Sequence, residues 1–112
     1  ADDFFRDALN LGDILLKNPN STYYGYAWSD SMEPLIYEGA MILIDVSQID
    51  MVRNGNYVVA ELEGDLCIKQ FWKENGVVTL HSLNKKYPPV VVEEWMRFRI
   101  KGKITNIIQN LC

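Results

Sequence analysis

The dipeptide Asn75-Gly76 separates two runs of aromatic and β-branched residues, Phe71-Trp72 on one side and Val77 to Leu80 on the other. A two-residue hairpin of type I′ needs positive φ at both central positions. Asn followed by Gly meets that need better than almost any other pair. Two antiparallel strands are therefore fixed locally. Glu63-Gly64 repeats the device between Tyr57–Leu62 and Asp65–Trp72. Further strands are expected over Thr22–Trp28, Met41–Val46, Val90–Val92 and Arg97–Ile108. The run Met-Ile-Leu-Ile-Asp-Val over 41–46 is nearly continuous in its apolar character, which predicts a strand covered on both faces. Short strands punctuated by Gly and Pro predict a mainly β fold: small curled sheets forming a partly open barrel or sandwich.

The N-terminal region reads differently. Asp2 and Asp3 can cap a short helix with Phe4, Phe5, Ala8 and Leu9 at helical spacing. Gly12 interrupts it, and Asp13 starts a second turn with Ile14, Leu15 and Leu16. Pro19 is a stop signal. The expected organisation is a single domain, with residues 1–19 as a short helical arm and 20–112 as the β core. The first residue is Ala1, so a processed product or a piece of a longer chain is expected. No run of 18 apolar residues predicts a membrane-spanning helix. A formal net charge of −4 argues against a dedicated sequence-specific DNA-binding domain. Cys67 and Cys112 form no Cys-x-x-Cys pair and have no His/Cys companions, so no metal is expected. Two free thiols, which fit a reducing cytoplasm, are expected ahead of a lone disulfide between them.

Two side chains carry candidate chemistry. Ser31 lies in Ser29-Asp30-Ser31-Met32-Glu33-Pro34, where Pro34 stiffens the bend. A hydroxyl presented there can act as a nucleophile, although a Ser/Asp turn is the ordinary reading of such a segment. A serine nucleophile needs a base. The single histidine, His81, lies in a strand, where packed or surface histidines are common. A lysine serves only when its amine is neutral, and burial favours that form. Lys69 is the lysine whose setting suggests it, because strand alternation places Cys67 and Phe71 on its face. The other reading of Lys69 is a side chain snorkelling at the rim of a sheet.

Together these segments resemble the LexA/UmuD family of self-cleaving serine peptidases, which use a Ser–Lys dyad. Ser29-Asp30-Ser31-Met32 is similar to the family's Gly-Asp-Ser-Met, and Glu38-Gly39-Ala40 with Met41 to Asp45 to its acidic-Gly-Asp turn and apolar strand. Asn54 to Ala60 looks like the Gly-Asp-x-Val-x-Ala strand, and Glu63 to Lys69 like the hairpin that carries the lysine. Leu83 to Pro89 resembles the Asn-x-x-Tyr-Pro-Pro turn, and Ile100 to Ile104 the closing Gly-x-Val strand. Asp13 to Tyr23 is closest to the UmuD branch, whereas Glu33-Pro34 also occurs in repressors. Ser29, Ala40 and Asn56 depart from the pattern, and the separation of 38 between Ser31 and Lys69 is one longer than usual.

The resemblance implies that Lys69 takes the Ser31 proton, that backbone N–H groups at Asp30 and Ser31 support the oxyanion, and that no cofactor is needed. It places the scissile Ala-Gly or Cys-Gly bond in an N-terminal segment. This chain has neither dipeptide, so the expectation is the form left after cleavage, UmuD-like, in the cytoplasm. Implied partners are a second copy of the chain, a RecA–single-stranded DNA filament as the trigger in the SOS response to DNA damage, and a translesion DNA polymerase of the UmuC type. The alternatives are the cleavage and dimerisation domain of a LexA-like or phage repressor, or a silent binding module on the same fold.

One further pattern concerns surface charge. Arg97, Arg99, Lys101 and Lys103 recur at period two, which predicts one basic face with Phe98, Ile100 and Ile104 on the other. A solvated face that discourages edge pairing is the ordinary reading. Contact with an acidic partner is the other.

Overall fold

The computed structural model describes residues 16–110. The predicted helical arm falls almost wholly before that range, as Cys112 falls after it. From Pro19–Ser21, a single 3-10 turn, the chain enters β1 (Thr22–Tyr26) and then β2 (Met41–Asp45). A 3-10 helix, Val46–Met51, leads to β3 (Tyr57–Leu62), β4 (Asp65–Glu74), β5 (Val77–His81), β6 (Val90–Val92) and β7 (Phe98–Ile108). Seven strands join one sheet in the order β1-β2-β7-β3-β4-β5-β6, every neighbouring pair antiparallel. The mainly β expectation holds. The strands form one continuous sheet, not several small ones, and it does not close into a barrel: β1 and β6 are its two edges. Among the described residues no helix is long and apolar enough to cross a membrane.

Both hairpin turns adopt the backbone their residues favour. Glu63 and Gly64 have φ of 52° and 86°, and Asn75 and Gly76 have 52° and 78°. Each is a two-residue turn with left-handed central positions, whose twist matches that of the strands it joins. The registers follow: Leu62 stands opposite Asp65, and Glu74 opposite Val77.

Strand alternation splits the core into two clusters. Val59 of β3 joins Ile42, Ile68 and Ile104 with Met32 and Ile36 from the β1–β2 connection. Its neighbours Val58 and Ala60 face the other way, into Phe71, Leu80, Cys67 and Ile100. β7 contributes to both clusters because it is bulged twice. Its pairing with β3 shifts between Val59 and Ala60, leaving Lys101 as the extra residue. Its pairing with β2 shifts between Leu43 and Ile44, leaving Thr105 extra. A bulge inserts one residue and so reverses the facing of everything beyond it. The expected single basic face is corrected accordingly. Arg99 pairs with Glu61 on the face of Val59, whereas Lys103 pairs with Val58 on the other face, and Ile100 and Ile104 lie in different clusters.

Candidate active site

Ser31 lies in the connection between β1 and β2. The connection is closed at its neck by Ala27 N–H to Ala40 O and Gly39 N–H to Ala27 O, both 2.8 Å. Inside it, Met32 and Ile36 are the anchors. Both are buried, at 2 % and 0 % exposure, and the Ile36 N–H donates to Met32 O at 2.9 Å. One helical turn thus drives two large apolar side chains into the first cluster, each burial contributing about 1.5–3 kcal/mol. Pro34 follows a cis peptide bond from Glu33. Ser31, next to Met32, is itself buried at 4 % exposure. Its Oγ lies 3.0 Å from Ser29 Oγ, and its backbone N–H donates to the same oxygen at 3.3 Å. Of the two N–H groups expected to support an oxyanion, at Asp30 and Ser31, that of Ser31 is therefore engaged by Ser29, the residue that departs from the family's glycine.

Lys69 lies on β4 opposite Val58, sharing its face with Cys67 and Phe71 as alternation predicts. The ring over its amine, however, is that of Tyr87, with Nζ 5.6 Å from the ring centroid. The amine donates to Ser82 Oγ at 2.6 Å. Burial pushes the Lys69 pKa below the usual lysine value, partly offset by the nearby Cys67 thiol. Burial in turn pushes the Cys67 thiol up. His81 is a poor candidate for the base. It stands opposite Gln70, with its ring edge-on to Trp72 at 6.3 Å, and alternation turns it away from the face of Ser82.

The loop after β5 touches both halves of the candidate site. Asn84 N–H donates to Ser31 O at 2.9 Å, and Asn84 Nδ2 donates to Asp30 O at 3.1 Å. Tyr87 O–H donates to Asp30 Oδ1, and Lys86 Nζ pairs with Asp30 Oδ2 at 2.6 Å. Hydrogen bonds from Lys86 and then Tyr87 hold the Asp30 carboxyl below its ordinary range. Asp30 thus serves as a tether for its turn. Ser82, at the start of the same loop, holds Lys69. Sequence reasoning singled out the Asn84–Pro89 stretch as a motif but missed Ser82. The signal was available: Lys69 and Ser82 lie equally far from the two ends of the Asn75-Gly76 turn, so a two-residue hairpin places them opposite each other.

A hydroxyl on a fixed turn, and an amine partly stripped of water, are the ingredients of base-assisted attack by serine. Comparison with known proteins bears on the same point. The family model described as Peptidase S24-like matches residues 1–105. The chain belongs to the Peptidase S24-like family. Relatives of this S24-like chain include the LexA repressor of Clostridium perfringens (strain SM101 / Type A), 35% identical over 107 residues, covering 95% of this chain and 48% of the relative. The LexA repressor of Shewanella loihica is 34% identical over 94 residues, covering 82% and 45%. That of Carboxydothermus hydrogenoformans is 36% identical over 83 residues, covering 71% and 39%. The S24-like chain therefore spans about half the length, or less, of these curated relatives.

Proposed function

We propose that this chain is the self-cleavage domain of a LexA-like repressor, with Ser31 as nucleophile and Lys69 as general base. The observation that carries the reading is the half-buried Lys69 amine, held by Ser82 in the loop that also tethers the Ser31 turn. The relatives named LexA repressor support it.

In the proposed reaction, neutral Lys69 Nζ accepts the proton of Ser31 Oγ as that oxygen bonds to a backbone carbonyl carbon. The C–N bond then breaks, Lys69 returns the proton to the leaving amine, and water hydrolyses the ester. For this, Ser31 Oγ leaves Ser29 and comes within reach of Lys69 Nζ, which stays on Ser82. The substrate is a bond elsewhere in the protein's own chain, a RecA–DNA filament is the trigger, and the working form is a homodimer. The UmuD-like reading, a subunit of a translesion polymerase, rests on the Asp13–Tyr23 pattern and comes second.

The test is self-cleavage of the full-length protein between about pH 6 and about pH 10. The rate is expected to rise with pH as Lys69 loses its proton, and to vanish in Ser31→Ala and in Lys69→Ala. Cleavage that persists in both variants, or a rate that falls steadily above neutrality, refutes the assignment. A helix-turn-helix encoded upstream supports the repressor, and a short flexible arm there supports the UmuD-like protein.

A further inference from the structure

Lys69 needs more than desolvation to act as a base. A lysine has four rotatable side-chain bonds, and an unrestrained amine spends most of its time pointed away from any one target. Three features around Lys69 bear on this. Among the described residues its amine makes one hydrogen bond, the 2.6 Å contact to Ser82 Oγ. Ser82 lies one residue beyond the Gln70–His81 pair, so it faces Lys69 across the β4–β5 ladder. From Ser82 the chain runs directly to Asn84 and Tyr87, which bind the backbone of Ser31 and the side chain of Asp30. A span of six residues therefore grips the amine at one end and the serine turn at the other.

We propose that Ser82 is the positioning residue for the Lys69 amine, and that the Ser82–Tyr87 loop sets the distance between that amine and Ser31. The inference rests on the Ser–Lys reading above. Ser82 acts through Lys69: it contacts the amine and takes no proton in the reaction. Its hydroxyl oxygen accepts an N–H from the amine whether Lys69 is charged or neutral, which leaves the neutral nitrogen's lone pair free for the Ser31 proton. It thus holds the amine in either protonation state. The bond to the ammonium is the stronger of the two because one partner is charged. Ser82 accordingly favours charged Lys69 while it aims the amine. Among the described residues, the other titratable groups on the amine's side are Cys67 and, further along the same strand, Asp65, with Tyr87 from the loop and Lys86 Nζ 5.4 Å from the same ring centroid. Lys103 of β7 lies on the same face beyond Val58.

Two opposite effects follow from Ser82→Ala. The loss of an acceptor lets burial depress the Lys69 pKa further, so the acid limb of the self-cleavage profile moves to lower pH. The loss of aim lowers the plateau rate, by up to about 100-fold for a misplacement near 1 Å. Ser82→Thr keeps the hydroxyl and restores both limb and plateau to within a few-fold of the parent.

The experiment measures pH–rate profiles of the full-length protein and its Ser82→Ala and Ser82→Thr variants. NMR titration of the Lys69 side chain accompanies them, in a Ser31→Ala background where cleavage cannot interfere. A lower Lys69 pKa and a lower plateau in Ser82→Ala, both reversed by Thr, support the proposal. A plateau and limb unchanged in Ser82→Ala overturn it, as does a slowed reaction with an unmoved limb that Thr fails to rescue, because that is loss of structure alone. Persistent cleavage in Ser31→Ala and Lys69→Ala defeats the dyad itself. Inactive dyad variants beside a normal Ser82→Ala defeat only the role given to Ser82.

Discussion

Asp45 shows how one buried carboxylate is kept charged. Burial alone works to raise its pKa, but donors surround it: Asn18 Nδ2 at 2.8 Å, Ser47 N–H at 2.9 Å, Ser47 Oγ at 2.7 Å and Ser21 Oγ at 2.9 Å. Together they hold it down to about 2, from an ordinary 3.8. A folded-state value below the unfolded one means stability that is present above 3.8 and lost as pH falls toward 2. The amount is about 1–2 kcal/mol once solvent screening is allowed for. Asp45→Asn puts an amide group among donors that need an acceptor. It is expected to cost about 1–3 kcal/mol at neutral pH and to flatten the acid dependence. Urea unfolding at a series of pH values checks both, and an unchanged acid limb in the variant excludes this account. At this scale the settings of Ser31 and Lys69, a buried turn and a half-buried strand position, were legible in the sequence because their own neighbours mark them. The use of Asp45 as a fastener for the segment before β1 was not. Its partners Asn18 and Ser21 lie on a different stretch of chain, and only the fold brings them within reach.

β7 is the element on which sequence periodicity failed, and the reason is local. Counting by twos assumes an unbroken ladder, and the extra residues at Lys101 and Thr105 each reverse the count. Gly102 follows the first of these bulges. A Cβ added there would collide with the Cγ2 of Ile44 on β2, a β-branched side chain with little room to turn. Gly102→Ala is expected to cost about 1–3 kcal/mol through overpacking. Gly76, in the β4–β5 turn, makes a useful contrast. Nothing lies within 4 Å of a Cβ built there, so only its φ of 78° opposes alanine. Gly76→Ala is expected to cost about 1–2 kcal/mol and to leave the Lys69–Ser82 register and self-cleavage intact. Thermal unfolding and cleavage rates measured side by side test the pair. Equal, negligible losses in both variants rule out the steric explanation for Gly102. The turn dipeptides were the most readable elements of all, since two residues dictate their backbone and, through it, two registers.

The whole sheet is graded from centre to edge. β7 and β3 each pair along both sides, and β3 carries Val58 and Ala60 at 0 % exposure. β6 has three residues and a single neighbour. Amides that open only with the core exchange slowest. Hydrogen exchange is therefore expected to be slowest at Val58, Val59 and Ala60 and much faster across Val90–Val92. Protection of equal depth in β3 and β6 contradicts this ordering. The β class and nearly every strand could be read from residue type and punctuation. The strand order could not. It depends on β7 returning between β2 and β3, a non-local pairing that no short window of sequence encodes.

The Ser82–Tyr87 segment has a consequence for failure. Because it grips both partners of the proposed chemistry, peeling it from the sheet disarms hydroxyl and amine in one event. Loss of competence is then all-or-none, with no crippled intermediate, and a ligand that pries at Tyr87 acts as an off-switch without contacting Ser31.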